Sequence, residues 1–256
     1  MEAFLTAHGV LELPSEAVHL TIYKSALTML PESLNQLSVL RRLTITQCPM
    51  LTALPESLGQ LQHLKSIDIT ECNKFTRLPE SLGQLHALAS LNMGWCQALT
   101  GLPESLGQLQ NLCFLGLGSC TSLQRLPESL CQLTSLEFMS LNGCQALTSL
   151  PEAMNQLQAL TFLSLVNCRA LTTLPVSLGQ LEMLTTIETS WCTSLIFPPA
   201  SDIQQNGLAR TKAYLNRRLG LLLLTAAGYH RKQHQQHAKL PRELWSLIFN
   251  LYFSKM

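Results

Sequence analysis

The chain repeats itself every 24 residues, and nothing else in it restricts the possible folds as severely. LPESLNQL at Leu30 returns as LPESLGQL at Leu54, Leu78 and Leu102, as LPESLCQL at Leu126, as LPEAMNQL at Leu150 and as LPVSLGQL at Leu174, with no insertion or deletion. Seven units fill residues 30–197, each reading approximately L-P-E-S-L-x-Q-L-x-x-L-x-x-L-x-L-x-x-C-x-x-L-x-x. Strict self-similarity at such a period marks a stacked array, because one unit cannot bury its apolar side until a neighbour covers it.

The two halves of a unit differ in periodicity. Ile67 and Ile69 have the alternate spacing of a strand's inward face, with Leu64 before them and Cys72 after. In LPESLGQL the apolar positions, such as Leu54, Leu58 and Leu61, fall at intervals of four and three. Proline in second place suits a first helical turn, where no N–H is needed. The pattern predicts a short helix or 3₁₀ segment on the outer side of each coil and a strand on the inner side.

These units resemble leucine-rich repeats, which carry L-x-x-L-x-L-x-x-[N/C]-x-x-L. LPESLGQL with cysteine at the N/C position is most similar to the repeats of plant intracellular disease-resistance receptors. It also resembles Ras-group signalling scaffolds, although those generally use asparagine and a slightly shorter unit. The resemblance implies an α/β solenoid curved as a horseshoe, with a parallel sheet on the concave face, short helices or 3₁₀ segments on the convex face, and protein partners docked in the concavity. The chain departs from the plant receptors in having no G-x-x-x-x-G-K-[S/T] phosphate loop, so nucleotide switching is not expected.

Outside the array the pattern loosens. Residues 1–29 read as an N-terminal cap with a shortened leading repeat, whose strand Leu20 and Ile22 would supply. Residues 198–228 read as a terminal half-repeat and capping helix, because Leu208, Leu215, Leu219, Leu222 and Ala226 share a stripe. Residues 229–239 form a polar His/Gln linker, and 240–256 an apolar C-terminal helix. The latter, LPRELWSLIFNLYF, resembles the opening of an F-box, although an F-box is far longer.

Composition excludes whole classes of function. Apolar residues are 46% of the chain and charged residues 13%, which rules out a disordered segment. A net charge of +1 gives no electrostatic footprint for nucleic acid or an anionic membrane. The longest apolar run, Leu219 to Ala227, is about half a bilayer span. Met1 is followed by Glu2 rather than a basic leader, so the nine cysteines are expected to be reduced thiols of a cytoplasmic protein.

Three sets of residues invite chemistry. Cys48, Cys72, Cys96, Cys120, Cys144, Cys168 and Cys192 form a ladder, which reads as small buried residues turning the chain out of the strand. Cys113 and Cys131 lie off it and are expected to react first. Glu32, Glu56, Glu80, Glu104, Glu128 and Glu152 form an outer column, read as acids complementing short helix N-termini. His230, His234 and His237 have i, i+4, i+7 spacing, which could align three imidazoles for a metal on a helix, but among so many glutamines the segment reads as an ordinary polar linker. No nucleophile–base constellation appears, so no catalytic, metal or cofactor site is expected.

The outward strand positions carry the informative signal. The first runs Arg42, Ser66, Ser90, Phe114, Phe138, Phe162, Thr186 and the middle one Thr44, Asp68, Asn92, Gly116, Ser140, Ser164, Glu188. Trp95 and Trp191 fall at the outgoing edge beside the cysteine. Three phenylalanines in consecutive units either stabilise the sheet by stacking or form a binding hot spot. Their ring faces are expected to be partly exposed, with Gly116, Gly118 and Gly143 leaving room beside them. The expected protein-binding residues are therefore Trp95, Phe114, Gly116, Phe138, Ser140, Phe162, Ser164 and Trp191. The chain reads as a non-enzymatic module binding a protein partner in intracellular signalling or defence, with substrate adaptation for ubiquitination as the alternative.

Overall fold

A computed structural model describes residues 2–5, 16–198, 203, 208, 209 and 211–219. The His-rich linker and the F-box-like segment at 240–256 lie outside these residues, as do Leu222 and Ala226 of the apolar stripe.

Each unit closes into one coil. Leu58, Leu61 and Leu64 are spaced three apart, which is the period of a 3₁₀ helix. Leu58 N donates to Pro55 O (3.1 Å), Leu61 N to Leu58 O (3.0 Å) and Leu64 N to Leu61 O (2.9 Å). All three side chains thus face inward and are buried. The outer segments are 3₁₀ throughout, as in Glu56–Gln60, Glu80–Gln84 and Glu104–Gln108. Pro55, in extended conformation, precedes the first of them.

The inner strands stack into one parallel sheet in sequence order. They are β1 (Glu2–Leu5), β2 (His19–Tyr23), β3 (Arg42–Thr46), β4 (Ser66–Thr70), β5 (Ser90–Asn92), β6 (Phe114–Gly116), β7 (Phe138–Ser140), β8 (Phe162–Ser164) and β9 (Thr186–Glu188). Equivalent residues of successive coils pair, so Ser90 lies beside Phe114, Phe114 beside Phe138 and Phe138 beside Phe162. Between strands and 3₁₀ segments runs one continuous core of leucine, with isoleucine, methionine, cysteine and Phe75. The architecture is a curved leucine-rich repeat solenoid.

Both ends are more elaborate than the repeat alone. β1 adds a strand beside β2 that no repeat signature announces. At the other end residues 211–219 are helical and sit on the last coil, burying Thr211, Leu215 and Leu219. Lys212 Nζ donates to Leu184 O (2.7 Å) and Asn216 Nδ2 to Gly179 O (3.1 Å), tying the helix to carbonyls at the array's end.

The outer glutamates do not serve their own 3₁₀ segment. Glu32 Oε2 accepts from Ser57 N (3.0 Å), Glu56 Oε2 from Ser81 N (3.1 Å) and Glu80 Oε2 from Ser105 N (3.3 Å). Each carboxylate therefore satisfies an orphan N–H in the first turn of the next coil and staples the two together.

The ladder cysteines are all free and buried. Their thiols donate to the preceding coil where strand pairing ends: Cys120 Sγ to Met93 O (3.0 Å), Cys144 to Leu117 O (3.1 Å), Cys168 to Leu141 O (3.1 Å) and Cys192 to Leu165 O (2.9 Å). Burial pushes the Cys96 and Cys144 thiols up to about 12 and raises that of Cys120. Cys131 corrects the expectation drawn from its place off the ladder. It occupies the position of Gly59, Gly83 and Gly107 in its own coil, nests against the next one, and is buried, with its thiol also pushed up to about 12 by that burial. Cys113 alone among the nine is partly exposed. Alkylation of the folded protein, followed by peptide mapping, is expected to label Cys113 first and Cys131 together with the ladder. Rapid labelling of Cys96, Cys120 or Cys144 without denaturant would contradict this placement.

Candidate functional site: the concave aromatic face

Strand alternation turns every other side chain into the concavity. The first outward column contains the three phenylalanines, and β6, β7 and β8 hold them in direct register. Phe114 and Phe138 have ring centroids 4.9 Å apart and planes 6° from parallel; for Phe138 and Phe162 the values are 4.4 Å and 2°. The rings meet face to face, so the sheet presents mainly their edges rather than their faces. Those edges carry the positive part of the aromatic quadrupole.

At Gly116 the stack closes the space that glycine was expected to leave. The ring of Phe114 leans over Gly116, where a Cβ would come within 3.0 Å of Phe114 Cε1 and 2.6 Å of Asn92 Oδ1. Gly116 is accordingly buried, and Ser164 is 0% exposed. The Ser164 hydroxyl is engaged below the surface, donating to Glu188 Oε2 (2.6 Å) and contacting the Asn142 side-chain amide. Ser140 is half-buried, as are the three phenylalanines. Gly118 remains open, with Asn142 O at 3.7 Å as the only neighbour of a would-be Cβ. In the middle column, Asn92 Nδ2 donates to Asp68 Oδ1 (3.3 Å), while burial pushes the Asp68 carboxyl up from its ordinary value.

The outgoing edge holds the feature that strand alternation alone does not announce. The residue before each ladder cysteine is in the left-handed region, with φ of 63° at Trp95, 61° at Ser119, 74° at Gly143, 62° at Asn167 and 65° at Trp191. Lys24, Gln47 and Glu71 adopt the same conformation in earlier coils. This corner points the next residue inward. A sequence signal for it exists in Gly143 and Asn167, the residue types that enter this region most readily.

Tryptophan is a poor choice for such a corner. A residue with a Cβ loses about 1–2 kcal/mol there, and a bulky one is a genuine outlier. Core packing does not offset the loss, since Trp95 is 57% and Trp191 74% exposed. The two stand in the coils immediately before and after the three phenylalanine coils. Four strand spacings, about 19 Å, separate them across the sheet. Between them the corner residues are Ser119, Gly143 and Asn167, which leave the interval open. The structure thus brings the phenylalanines together as one stack and sets the tryptophans apart as posts on the opposite edge.

Among the described residues no group of three His, Cys, Asp or Glu side chains is placed to hold a metal ion. No helix among them is long and apolar enough to cross a membrane.

Comparison with known proteins agrees with the fold. A leucine-rich repeat protein of Leptospira interrogans superimposes with a TM-score of 0.58 and 25% identity over 72% of this chain and 53% of its own. A chain of the Toll–Spätzle complex of Drosophila does so with a TM-score of 0.61 and 24% identity, over 69% of this chain and 24% of its own. The present chain thus spans about half the length of the first and a quarter of the second. No family model matches it, and no curated protein does. The protein is a solenoid related to leucine-rich repeat proteins of varied roles.

Proposed function

We propose that the chain is a non-enzymatic recognition module that docks a protein partner on its concave face, between the phenylalanine stack and the two tryptophan posts. The observation that carries this reading is the pair of exposed tryptophans in left-handed corners. Strained residues that bury little in the fold gather where something outside it must be contacted, and tryptophan is the side chain most enriched in interface hot spots. Among the described residues no exposed tryptophan in a left-handed corner stands on the convex face, where Glu32, Glu56 and Glu80 staple neighbouring coils. Participation in intracellular signalling or defence is part of the proposal. It rests on the likeness of LPESLGQL and its cysteine to plant receptor repeats, and the free thiols suit a reducing compartment.

Stability and binding separate in a defined way. Phe138→Ala is expected to weaken partner capture by about 1–4 kcal/mol and also to destabilise the sheet through lost stacking. Trp95→Gly and Trp191→Gly remove contact area while relieving the corner, so they are expected to lose the partner with stability unchanged or raised by up to about 1 kcal/mol. Quantitative affinity capture with wild type, both tryptophan variants and the convex control Glu104→Ala checks this. Capture of the same proteins in the same amounts by both tryptophan variants would overturn the docking surface.

A further inference from the structure

The first outward column does more than align three rings. Strand pairing makes Arg42, Ser66, Ser90, Phe114, Phe138 and Phe162 one continuous file across the sheet. At its start the exposed side chains of Arg41 and Lys65 flank Arg42, since Lys65 N donates to Arg41 O (2.8 Å) and places the two main chains side by side. This stretch of the file, which His19 and Glu2 continue beyond Arg42, therefore runs from three neighbouring cationic residues to a row of electropositive ring edges.

Three acids of the same face are spent within the sheet. The Asp68 carboxylate accepts from Asn92 and is held by the charge of Arg42. Glu71 Oε2 accepts from Gln47 Nε2 (2.9 Å), and Glu188 accepts from Ser164. Each of these three carboxylates already has a donor within the sheet, whereas Glu137, four coils along the column of Arg41 and Lys65, stands exposed beside Phe138. The side chains of Arg41 and Lys65 have no partner among the described residues, so their charge is left for a ligand.

We propose that the occupant of the concave face is an acidic peptide segment in extended conformation, laid across the strands along this file. Its carboxylate would sit over Arg41, Arg42 and Lys65, with aromatic or apolar residues on the phenylalanine edges. This deepens the docking reading above and rests on it. The geometry sets the spacing of the recognised sequence. From Arg42 to Phe114 is three strand spacings, about 14 Å, and to Phe162 five, about 24 Å. An extended chain covers about 3.3 Å per residue, so the apolar anchors fall roughly four to seven positions from the acid. Ring edges favour carbonyl oxygens and the faces of other rings and disfavour cations, so a basic peptide meets unfavourable contacts at the cationic end and on the ring edges. Two electropositive elements acting on one ligand also fix its direction across the sheet.

A random peptide library displayed on phage, with inserts of roughly nine residues to match the length of the file, tests the proposal against the full chain at low ionic strength. Enriched peptides are expected to carry Asp or Glu towards one end and Phe, Tyr, Trp or Leu at the stated distance. Synthetic copies are expected to bind about tenfold more weakly to Arg42→Glu and to Lys65→Glu, and to weaken as salt is raised. Enriched peptides that lack an acid, or that bind the charge-reversed variants as well as wild type, would overturn the acidic class. The concave surface itself would stand in that case if Trp191→Gly still abolished their binding. Enrichment of no sequence at all would overturn the extended-peptide occupant, and capture of whole proteins by the tryptophan variants would then judge the docking surface separately. Thermal denaturation of each variant distinguishes lost binding from lost folding; Lys65→Glu is the cleaner variant, because Arg42→Glu also removes the charge that holds Asp68.

Discussion

Leu115→Ala is expected to destabilise the folded protein by about 2–5 kcal/mol, the range for removing a fully buried leucine from a core that relaxes only partly. Leu115 is the inward residue of β6, is 0% exposed, and pairs across the sheet with Leu91 and Met139. It lies in the interior of the nine-stranded sheet, so its cavity touches coils on both sides. In a solenoid each coil is supported only by its neighbours, and a weak central coil uncouples the two halves. Chemical denaturation followed by far-UV circular dichroism measures the effect. The expected curve has an earlier midpoint and a shallower or divided transition. A loss below about 1 kcal/mol would contradict the close packing around this side chain.

Gly83→Ala is expected to cost about 1–3 kcal/mol by overpacking, although it adds only one methyl group. The 3₁₀ segment containing Gly83 lies so close to the next coil that a Cβ would stand 2.6 Å from the carbonyl oxygen of Ser105 and 2.8 Å from its Cβ. Those atoms belong to the neighbouring main chain and its first side-chain carbon, so neither can swing aside. Gly59 makes an equivalent approach to Ser81. Where the column holds asparagine, the substitution is compensated. Asn35 Nδ2 donates to Gln60 Oε1 and Asn155 Nδ2 to Gln180 Oε1, each at 2.8 Å, a bond alanine cannot make. Where it holds Cys131, the facing residue is Ala153 and the following 3₁₀ segment shortens to Met154–Gln156. Gly101 supplies the contrast, since nothing lies within 4 Å of its would-be Cβ. Gly101→Ala is expected to be neutral or to stabilise by about 0.4–1 kcal/mol through the unfolded chain. Equal losses for the two alanine variants would refute the close approach.

Much of this protein is determined by its sequence alone. The 24-residue period, the alternating inward residues such as Ile67 and Ile69, and the spacing of Leu58, Leu61 and Leu64 specify coil, strand and outer segment. Constant unit length does the rest, because without insertions equivalent residues must pair. The file from Arg42 to Phe162 and the buried cysteine ladder were legible for that reason. Distances between coils and the dihedrals at their corners were not, because neither is encoded by periodicity. The presentation of ring edges follows from the rotamers that let Phe114, Phe138 and Phe162 stack at the strand spacing. The burial of Gly116, Ser164 and Cys131 follows from how closely one coil approaches the next. The glutamates' reach to the following coil depends on the same separation. The strain at Trp95 and Trp191 comes from a φ that a tryptophan codon does not reveal, although Gly143 and Asn167 in the same column hint at it. Local pattern decides which residues share a face, whereas what that face offers a partner depends on side chains meeting across coils far apart in sequence.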